Sequence, residues 1–258
     1  MIIDTHCHLD NIKYRDDLKE VLKKSIDSGV QKFIIPAADP RDLERAIELS
    51  ETEENIYFAI GIHPYHTDDW TEEIFQYLDN PKCVAVGECG LDYFRLPENE
   101  DEKIGYIERQ KDIFRKQIQI AKAIRKPLII HIRDASEDAK QILIEEKADE
   151  VGGVLHCYNA DETLLELADH NFYFGIGGVL TFKNAKRLVN VLPKIPIEKL
   201  LVETDSPYLT PHPNRGKRNE PSYTKLVVEK MAEILELNFK EIADLTTENS
   251  KKLFNLNV

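Results

Sequence analysis

Imidazole and carboxylate side chains recur in this 258-residue sequence at the ends of short apolar runs. Six of them stand at the ends of five such runs: His6, His8, Glu88, His131, His156 and Asp205. Mixed nitrogen and oxygen ligands are the type that zinc, manganese or magnesium takes. Six ligands exceed the number that one catalytic zinc site uses, so the set favours two divalent metal ions. Glu88 is the natural bridge between them because a carboxylate offers two oxygens.

The runs that carry these side chains alternate with longer amphipathic segments along the chain. Strands are predicted at 2–6, 31–35, 56–60, 83–87, 127–131, 152–156, 172–176 and 199–204. Helical patterns lie near 15–28, 40–52, 71–78, 103–125, 136–147, 161–169 and 184–192, and two more follow at 221–236 and 239–253. Eight strands, each followed by a helix, predict an α/β fold: a (β/α)8 TIM barrel with an additional C-terminal helix, as one domain over residues 1–258. The candidate ligands then surround the mouth where barrel enzymes place their active sites.

Side-chain alternation along the strands indicates which residues face that mouth. Residues two apart share a face, so His6 and His8 can point at one centre. By the same rule, Val84 and Val86 share the face of Glu88.

The cysteines fit a core role better than a ligand role. Cys7, Cys89 and Cys157 each neighbour a candidate ligand, so alternation turns them away from the mouth and towards the helices. The sequence has four cysteines and no CxxC pair, a pattern typical of reduced thiols in a cytoplasmic protein.

Charge and hydropathy limit the class of partner. With 34 basic and 47 acidic side chains the formal net charge is −13, which argues against a protein that coats nucleic acid regardless of sequence. A local basic loop can still meet phosphates. No apolar run reaches 18 residues and no export signal is visible, so we expect a cytoplasmic protein with no membrane partner. The sequence also points to no obligate protein partner.

Seven motifs taken in order resemble the TatD family of metal-dependent deoxyribonucleases, which are amidohydrolase-like barrels. The motifs are DTHCHLD at 4–10, GIHP at 61–64, GECGLD at 87–92, PLIIHIRDA at 127–135, LHCY at 155–158, ETDSPYL at 203–209 and RGKRNEP at 215–221. The resemblance covers essentially the whole chain. It implies a (β/α)8 barrel that uses two divalent metal ions to hydrolyse phosphodiester bonds of DNA exonucleolytically.

The resemblance also implies roles for individual residues. One metal would be held by His6, His8, Glu88 and Asp205, and the second by Glu88, His131 and His156. An activated water would attack phosphorus, with Asp205 accepting its proton and Glu88 holding both metals. Glu203 and Asp4 share strand faces with Asp205 and His6, and either orient a ligand or form a polar layer of the barrel.

Residues near the mouth are suited to a nucleic acid substrate. Arg133 follows His131 by two residues, and Arg215, Lys217 and Arg218 form a basic island after the eighth strand. We expect Arg133, Arg215 and Arg218 to contact phosphates. His63 lies near the mouth and either binds substrate or only shapes the loop. This chain departs from the family where Tyr65 separates Pro64 from His66, which leaves the role of His66 open.

The same centre would serve other hydrolases. One alternative is a small-molecule amidohydrolase or esterase, and another is a deacylase of aminoacyl-tRNA. A third alternative is a barrel that has lost catalysis and only binds, against which the full ligand set argues.

Overall fold

Eight parallel strands pair side by side in the order in which they occur in the chain. They are Ile2–Asp4 (β1), Val30–Ile35 (β2), Ile56–Ile60 (β3), Cys83–Asp92 (β4), Leu128–Arg133 (β5), Gly153–Leu155 (β6), Phe172–Ile176 (β7) and Leu200–Val202 (β8). This computed structural model describes residues 1–256, and the last two residues of the predicted 1–258 domain lie outside the described residues. The sheet curls into a nearly closed barrel, which confirms the predicted fold.

The seam between the first and last strands is closed by the residues that follow them. The Asp205 N–H donates to the His6 carbonyl at 2.9 Å. The Asp4 carboxylate accepts hydrogen bonds from the Thr204 amide (3.0 Å) and hydroxyl (2.6 Å). Asp4 is fully buried, and burial, partly opposed by the Thr204 hydrogen bonds, raises its pKa to about 8. The seam therefore joins two segments about 200 residues apart at the point where each supplies a candidate ligand.

The strands are separated by α-helices and by shorter 3-10 helices. Within the described residues the α-helices are Leu18–Asp27 (α1), Leu43–Thr52 (α2), Glu100–Ile124 (α3), Ser136–Glu145 (α4), Lys186–Val191 (α5), Thr224–Leu235 (α6) and Phe239–Phe254 (α7). The patterns at 71–78 and 161–169 form 3-10 helices, Glu72–Tyr77 and Glu162–Ala168. None of the helices in residues 1–256 combines the length and apolar character needed to span a membrane.

The barrel interior is filled by one apolar layer. Every strand contributes to it, β4 with two residues and the other strands with one each: Ile3, Ile34, Ala59, Val84, Ala85, Ile129, Val154, Tyr173 and Leu201. Leu253 and Phe254 of α7 join this cluster, and Phe254 shares a cavity wall with Val84 and Pro127 at the starts of β4 and β5. The additional C-terminal helix therefore closes the end of the barrel opposite the candidate ligands.

Two buried glutamines on α3 fix the positions of neighbouring strand ends. Gln117 accepts from the Ile62 N–H (2.7 Å) and donates to its carbonyl (3.0 Å). Gln110 makes the same pair of bonds with Asp92, at 2.9 and 3.0 Å. The glutamines are seven residues apart, so they lie on one face of the helix. Gln117 thus satisfies the backbone N–H and C=O next to His63, and Gln110 satisfies those at the end of β4.

We expect Gln117→Met to destabilise the protein by about 2–4 kcal/mol, because the buried N–H and C=O of Ile62 lose their partners while the side-chain volume hardly changes. Chemical denaturation measures the effect. Gln119→Met is the matched control, since Gln119 is exposed on the same helix and its loss should cost less than about 0.5 kcal/mol. Equal losses in the two variants would contradict the assigned role of Gln117.

Candidate metal centre

Three strands deliver their polar side chains by simple alternation. His131, His156 and Glu203 each follow an interior residue, Ile129, Val154 or Leu201, by two positions. They therefore continue the interior face upwards from the apolar layer to the mouth. Gly175 on β7 leaves room for Glu203, since a Cβ there would overlap its Oε2.

Glu88 reaches the interior by a β-bulge. In the pairing with β5, Val86 is opposite Leu128 and Cys89 is opposite Ile130, so two residues of β4 face one residue of β5. The extra residue reverses the alternation and turns Glu88 inwards. Gly87 permits this, with a φ of +156° and a backbone so close to Ile129 that a Cβ would lie 2.6 Å from its carbonyl oxygen.

The bulge corrects one prediction from the sequence. Val86 does not share the face of Glu88: it packs in the cluster between strands and helices, with Phe114 and Ile118 of α3. Simple alternation, which places Val86 and Glu88 together, fails because it assumes a strand without an inserted residue.

His6 and His8 lie beyond the end of β1, where the chain has left regular strand geometry. Asp4 is the last residue of the strand, and its carboxylate turns to Thr204 rather than to the ligands. The prediction that Asp4 shares the face of His6 is therefore wrong. Asp4 also accepts from the His6 N–H at 3.4 Å, so it positions this ligand through the backbone.

The carboxylate of Glu88 lies among the imidazoles. Its oxygens are 3.0 Å from His131 Nδ1, 3.4 Å from His6 Nε2, 3.6 Å from His63 Nε2 and 4.0 Å from His156 Nε2. Burial alone raises the pKa of a carboxylic acid, but the surrounding imidazoles outweigh it and hold the pKa of Glu88 well below its usual value. Glu88 is therefore ionised and central, as a bridging ligand must be.

A first group of possible metal ligands consists of His6, His8 and Asp205. Asp205 Oδ1 lies 3.2 Å from His8 Nε2 and 3.9 Å from His6 Nε2. His6 is 1% exposed, and neither of its ring nitrogens has a hydrogen-bond partner within residues 1–256. Burial lowers the pKa of His6, so its ring is neutral and can donate a lone pair. An unpartnered buried imidazole beside two carboxylates fits a metal cation.

His156 is held for ligation by Glu203. Its Nδ1 lies 2.9 Å from Glu203 Oε1, which also accepts the Cys157 N–H at 2.7 Å. The ring stacks on that of His6 with 3.3 Å between centroids, and its Nε2 points towards Glu88 and Asp205. A carboxylate behind the distal nitrogen is the usual means of orienting a metal-binding histidine. Of the two roles that the sequence leaves open for Glu203, the contacts favour orientation of a ligand.

Asp92 orients His131 as Glu203 orients His156, and sequence reasoning missed this residue. Its Oδ2 lies 2.9 Å from His131 Nε2, while Nδ1 faces Glu88. Burial lowers the pKa of His131, but these two carboxylates outweigh it and raise the pKa to about 9. A signal was present, because Asp92 follows Glu88 by four residues and an even spacing places both on one face.

His63 also reaches the centre and forms a group of possible ligands with Glu88 and His131. Its Nδ1 accepts the Tyr65 N–H at 3.1 Å, so the neutral ring carries its proton on Nε2. Burial lowers the pKa of His63 to about 3, which keeps the ring neutral. This tautomer suits donation of a hydrogen bond better than ligation of a metal, so of the two roles that the sequence leaves open for His63 it favours contact with substrate.

The predicted substrate-binding arginines fall into two sets. Arg133 lines the cleft above the centre and stacks on Phe94, with 3.5 Å from guanidinium carbon to ring centroid. Arg95, which sequence reasoning missed, also lines the cleft. Arg215 and Arg218, both within the described chain, lie outside it. Arg215 donates to the Thr210 carbonyl at 2.9 Å.

Arg218 is bound to partners of its own. Its guanidinium pairs with Asp17 at 2.6 Å and Glu220 at 3.3 Å, and it covers the Tyr14 ring. The structure therefore does not support the predicted phosphate contact of Arg218, because acidic neighbours already neutralise its charge.

Two of the three cysteines occupy the predicted place. Cys7 and Cys89 are fully buried among strand and helix residues. Cys157 is different: its left-handed backbone, with φ of 45°, leaves it partly exposed beside His156.

Comparison with known proteins identifies close relatives. A family model described as TatD related DNase matches residues 3–255. The chain is 45% identical to the metal-dependent hydrolase YabD of Bacillus subtilis (strain 168), with all of both chains covered. It is 38% identical to the metal-dependent hydrolase YcfH of Escherichia coli (strain K12), covering 99% of this chain and 96% of that one. The crystal structure of YjjV, a TatD homologue from Escherichia coli K12, superposes with a TM-score of 0.87 at 29% identity, covering 99% and 98% of the two chains.

We expect divalent metal binding to the metal-free protein at pH 7 to release at least two protons, from His8 and His131, and a further one from His156, whose pKa is raised because the Glu203 carboxylate outweighs burial. Although burial lowers it, the hydrogen bond to Asp205 raises the pKa of His8 to about 9, and the pKa of His131 is similar. Both rings are charged below pH 9 and must lose a proton to ligate, so affinity should rise with pH up to about 9. Calorimetry in two buffers of different ionisation enthalpy counts the protons.

The matched variants for this measurement are His8→Gln and His63→Gln. The first should reduce the count by about one proton, and the second should leave it unchanged because His63 is neutral at pH 7. Identical heats in the two buffers for the unmodified protein would contradict the prediction.

Proposed function

The chain belongs to the TatD family of metal-dependent hydrolases, and we propose that it hydrolyses phosphodiester bonds of DNA with two divalent metal ions at the centre described above. The observation that carries this proposal is the position of exposed arginines on aromatic rings beside the candidate ligands. Arg133 stacks on Phe94, which is 52% exposed, and Arg95 lies 5.9 Å from the centroid of Tyr65. Cations and exposed rings together suit a nucleic acid strand, whose phosphates and bases they can both contact.

The cleft supports a phosphate-bearing substrate in spite of the net charge of −13. Its volume is about 560 Å³, and Arg95 and Arg133 stand beside Glu88 and the histidines. The residues that would hold the metals are His6, His8, Glu88 and Asp205 for one ion, and Glu88, His131 and His156 for the other. When bound, such ions neutralise phosphate charge and lower the pKa of water.

The chain's own residues would then divide the remaining work. Asp205 is the candidate proton acceptor: its pKa is lowered because the hydrogen bond from His8 and the nearby imidazoles outweigh the effect of burial, so it is ionised at neutral pH. His63 would donate its Nε2–H to a substrate oxygen. Asp92 and Glu203 hold His131 and His156 in orientation, and Arg133 binds a phosphate next to the scissile one.

A second candidate function rests on the opposite wall of the cleft. Asp10, Asp39 and Asp42 line it, and Asp10 is 8% exposed with an Oδ1 that has no hydrogen-bond partner within residues 1–256. Arg41 already pairs with Asp39 at 2.5 Å, which leaves Asp10 and Asp42 to suit a cationic group, such as the ammonium of an aminoacyl ester. A deacylase of aminoacyl-tRNA is therefore the alternative to test beside the nuclease.

The test of both functions is a substrate panel on metal-stripped protein to which Mg²⁺, Mn²⁺ or Zn²⁺ is returned. We expect cleavage of single-stranded oligodeoxynucleotides that disappears on chelation and returns with metal. Glu88→Gln should lower kcat by about 100-fold or more, since it removes a ligand of both ions. His66→Gln is the control, because His66 contacts Asp39 and Asp69 rather than the centre. Deacylation without oligonucleotide cleavage would replace the nuclease by the second candidate.

Arg133→Ala should raise KM on a single-stranded oligonucleotide and reduce the slope of log K against log salt by about 0.7, the value for one lost phosphate contact. Arg218→Ala is the control. Because Asp17 already neutralises Arg218, its salt slope should equal that of the unmodified enzyme. The slopes come from steady-state assays across a salt series. A smaller slope in Arg218→Ala and not in Arg133→Ala would reverse the assignment of the phosphate contact.

A further inference from the structure

A second cavity opens directly beside the metal centre, on the side formed by the residues that follow β5 to β8. Its volume is about 510 Å³. His131, His156 and Asp205 line both this cavity and the cleft, so the two spaces meet at the candidate ligands. We call it the apolar cavity and define it by Ile132, Cys157, Val179, Ala185, Leu188 and Leu209.

The walls of the apolar cavity differ from those of the cleft. The cleft is lined largely by charged side chains and histidines, whereas Val179 and Leu188 face this cavity with aliphatic groups. Leu188 is 5% exposed and Ile132 is 8% exposed, so both are packed into the protein and the walls are preformed. Arg187 also lines the cavity, but its side chain is 67% exposed and lies 3.6 Å from Asp161. Among the aliphatic walls a charged group would lose hydration without a partner, whereas a neutral apolar or planar group would gain contact.

Polar and aromatic groups stand at the rim. Asn184 is an exposed amide that can both donate and accept hydrogen bonds. Tyr208 is 46% exposed and lines both the cleft and the apolar cavity, as does Arg133. A ligand in the cavity would therefore lie between a ring, a cation and an amide while its neighbouring group reached the metal centre.

We propose that the apolar cavity binds the base of the nucleotide whose phosphate is cleaved. This inference rests on the proposed nuclease function and names the part of the substrate that the cavity selects. A nucleobase is neutral and planar, and it carries hydrogen-bonding edges that Asn184 at the rim can meet. Since the cavity lies to the side of the ligands, the base must leave its stack before the phosphate reaches them. Recognition of the base thereby selects unpaired or frayed nucleotides.

The test compares two oligonucleotides with two matched variants. One single-stranded substrate carries thymidine at the terminus that is removed, and the other carries an abasic tetrahydrofuran residue there. For the unmodified enzyme we expect the abasic substrate to have a kcat/KM about 10-fold lower, the order expected for one lost stacked base. Val179→Trp fills the cavity and should lower activity on thymidine to the abasic level. Val189→Trp makes the same change at a partly buried valine outside the cavity and should keep the preference.

A second matched pair covers the case in which Val179→Trp does not fold, as judged by circular dichroism. The pair is Asn184→Trp and Asn190→Trp. Both asparagines are exposed, and of the two only Asn184 lines the apolar cavity. Asn184→Trp should abolish the preference for thymidine and Asn190→Trp should retain it. The proposal is overturned if a folded cavity variant still prefers the thymidine substrate. It is also overturned if the unmodified enzyme cleaves both substrates equally well, although that result would leave the nuclease function supported.

A separate binding experiment tests the cavity if the protein proves not to be a nuclease. If no oligonucleotide is cut, metal-loaded protein is titrated with thymidine 5′-monophosphate and followed by NMR. Binding that Val179→Trp abolishes and Val189→Trp retains supports the cavity as a base site. Absence of binding overturns it. A further outcome is that the unmodified protein does not bind the nucleotide but hydrolyses a p-nitrophenyl ester, and that Val179→Trp loses this hydrolysis while Val189→Trp keeps it. That outcome assigns the cavity to a small aromatic ester and also overturns the proposal.

Discussion

The carboxylate of Glu88 lies buried among four imidazoles, and a buried charge persists in a protein only where partners surround it. Glu88 is only 3% exposed, so its charge is stabilised by these protein groups rather than by bulk water. The imidazoles come from the ends of β1, β3, β5 and β6, so the ends of these strands must converge within a few ångströms. The seam at Asp4 and Gln117 of α3 fix the ends of β1 and β3, while the bulge at Gly87 and Gln110 of α3 fix the part of β4 that carries Glu88. The architecture around the mouth is thus a set of supports for one anion and its histidines.

The barrel could be predicted from the sequence because its signals are local. Apolar runs of strand length alternate with amphipathic ones, and the candidate ligands stand where those runs end. His131 and His156 lie where simple alternation places them, since β5 is regular through His131 and the pairing of β6 with β5 continues at His156, whose N–H donates to the Ile130 carbonyl. The bulge could not be predicted, because it is a relation between β4 and a partner about 40 residues away. The ion pair of Arg218 could not be predicted for the same reason, because its partner Asp17 is 201 residues away in the sequence.

The metal centre lies at the junction of two unlike spaces. Residues that follow β1 to β4 build a charged cleft, and residues that follow β5 to β8 build an apolar cavity, with His131 and Asp205 common to both. A substrate that fills both spaces must itself be divided, with an ionic group beside a neutral planar one. A nucleotide has this division built into its covalent structure, whereas most small esters and amides do not. The placement of the two spaces thereby limits the chemistry more than the ligand set alone does.

The seam has a consequence for how the protein is made. His8 and Asp205, which are 197 residues apart, must meet before the first group of ligands exists. A ribosome that has synthesised three-quarters of the chain therefore carries a molecule with most of its strands but without the ligand group that includes Asp205. Strand edges at both ends of that unfinished sheet stay open until β8 and α7 emerge. The first group of ligands is thus completed only when the segment after β8 has joined the barrel, so an ion held there would mark chains that have closed.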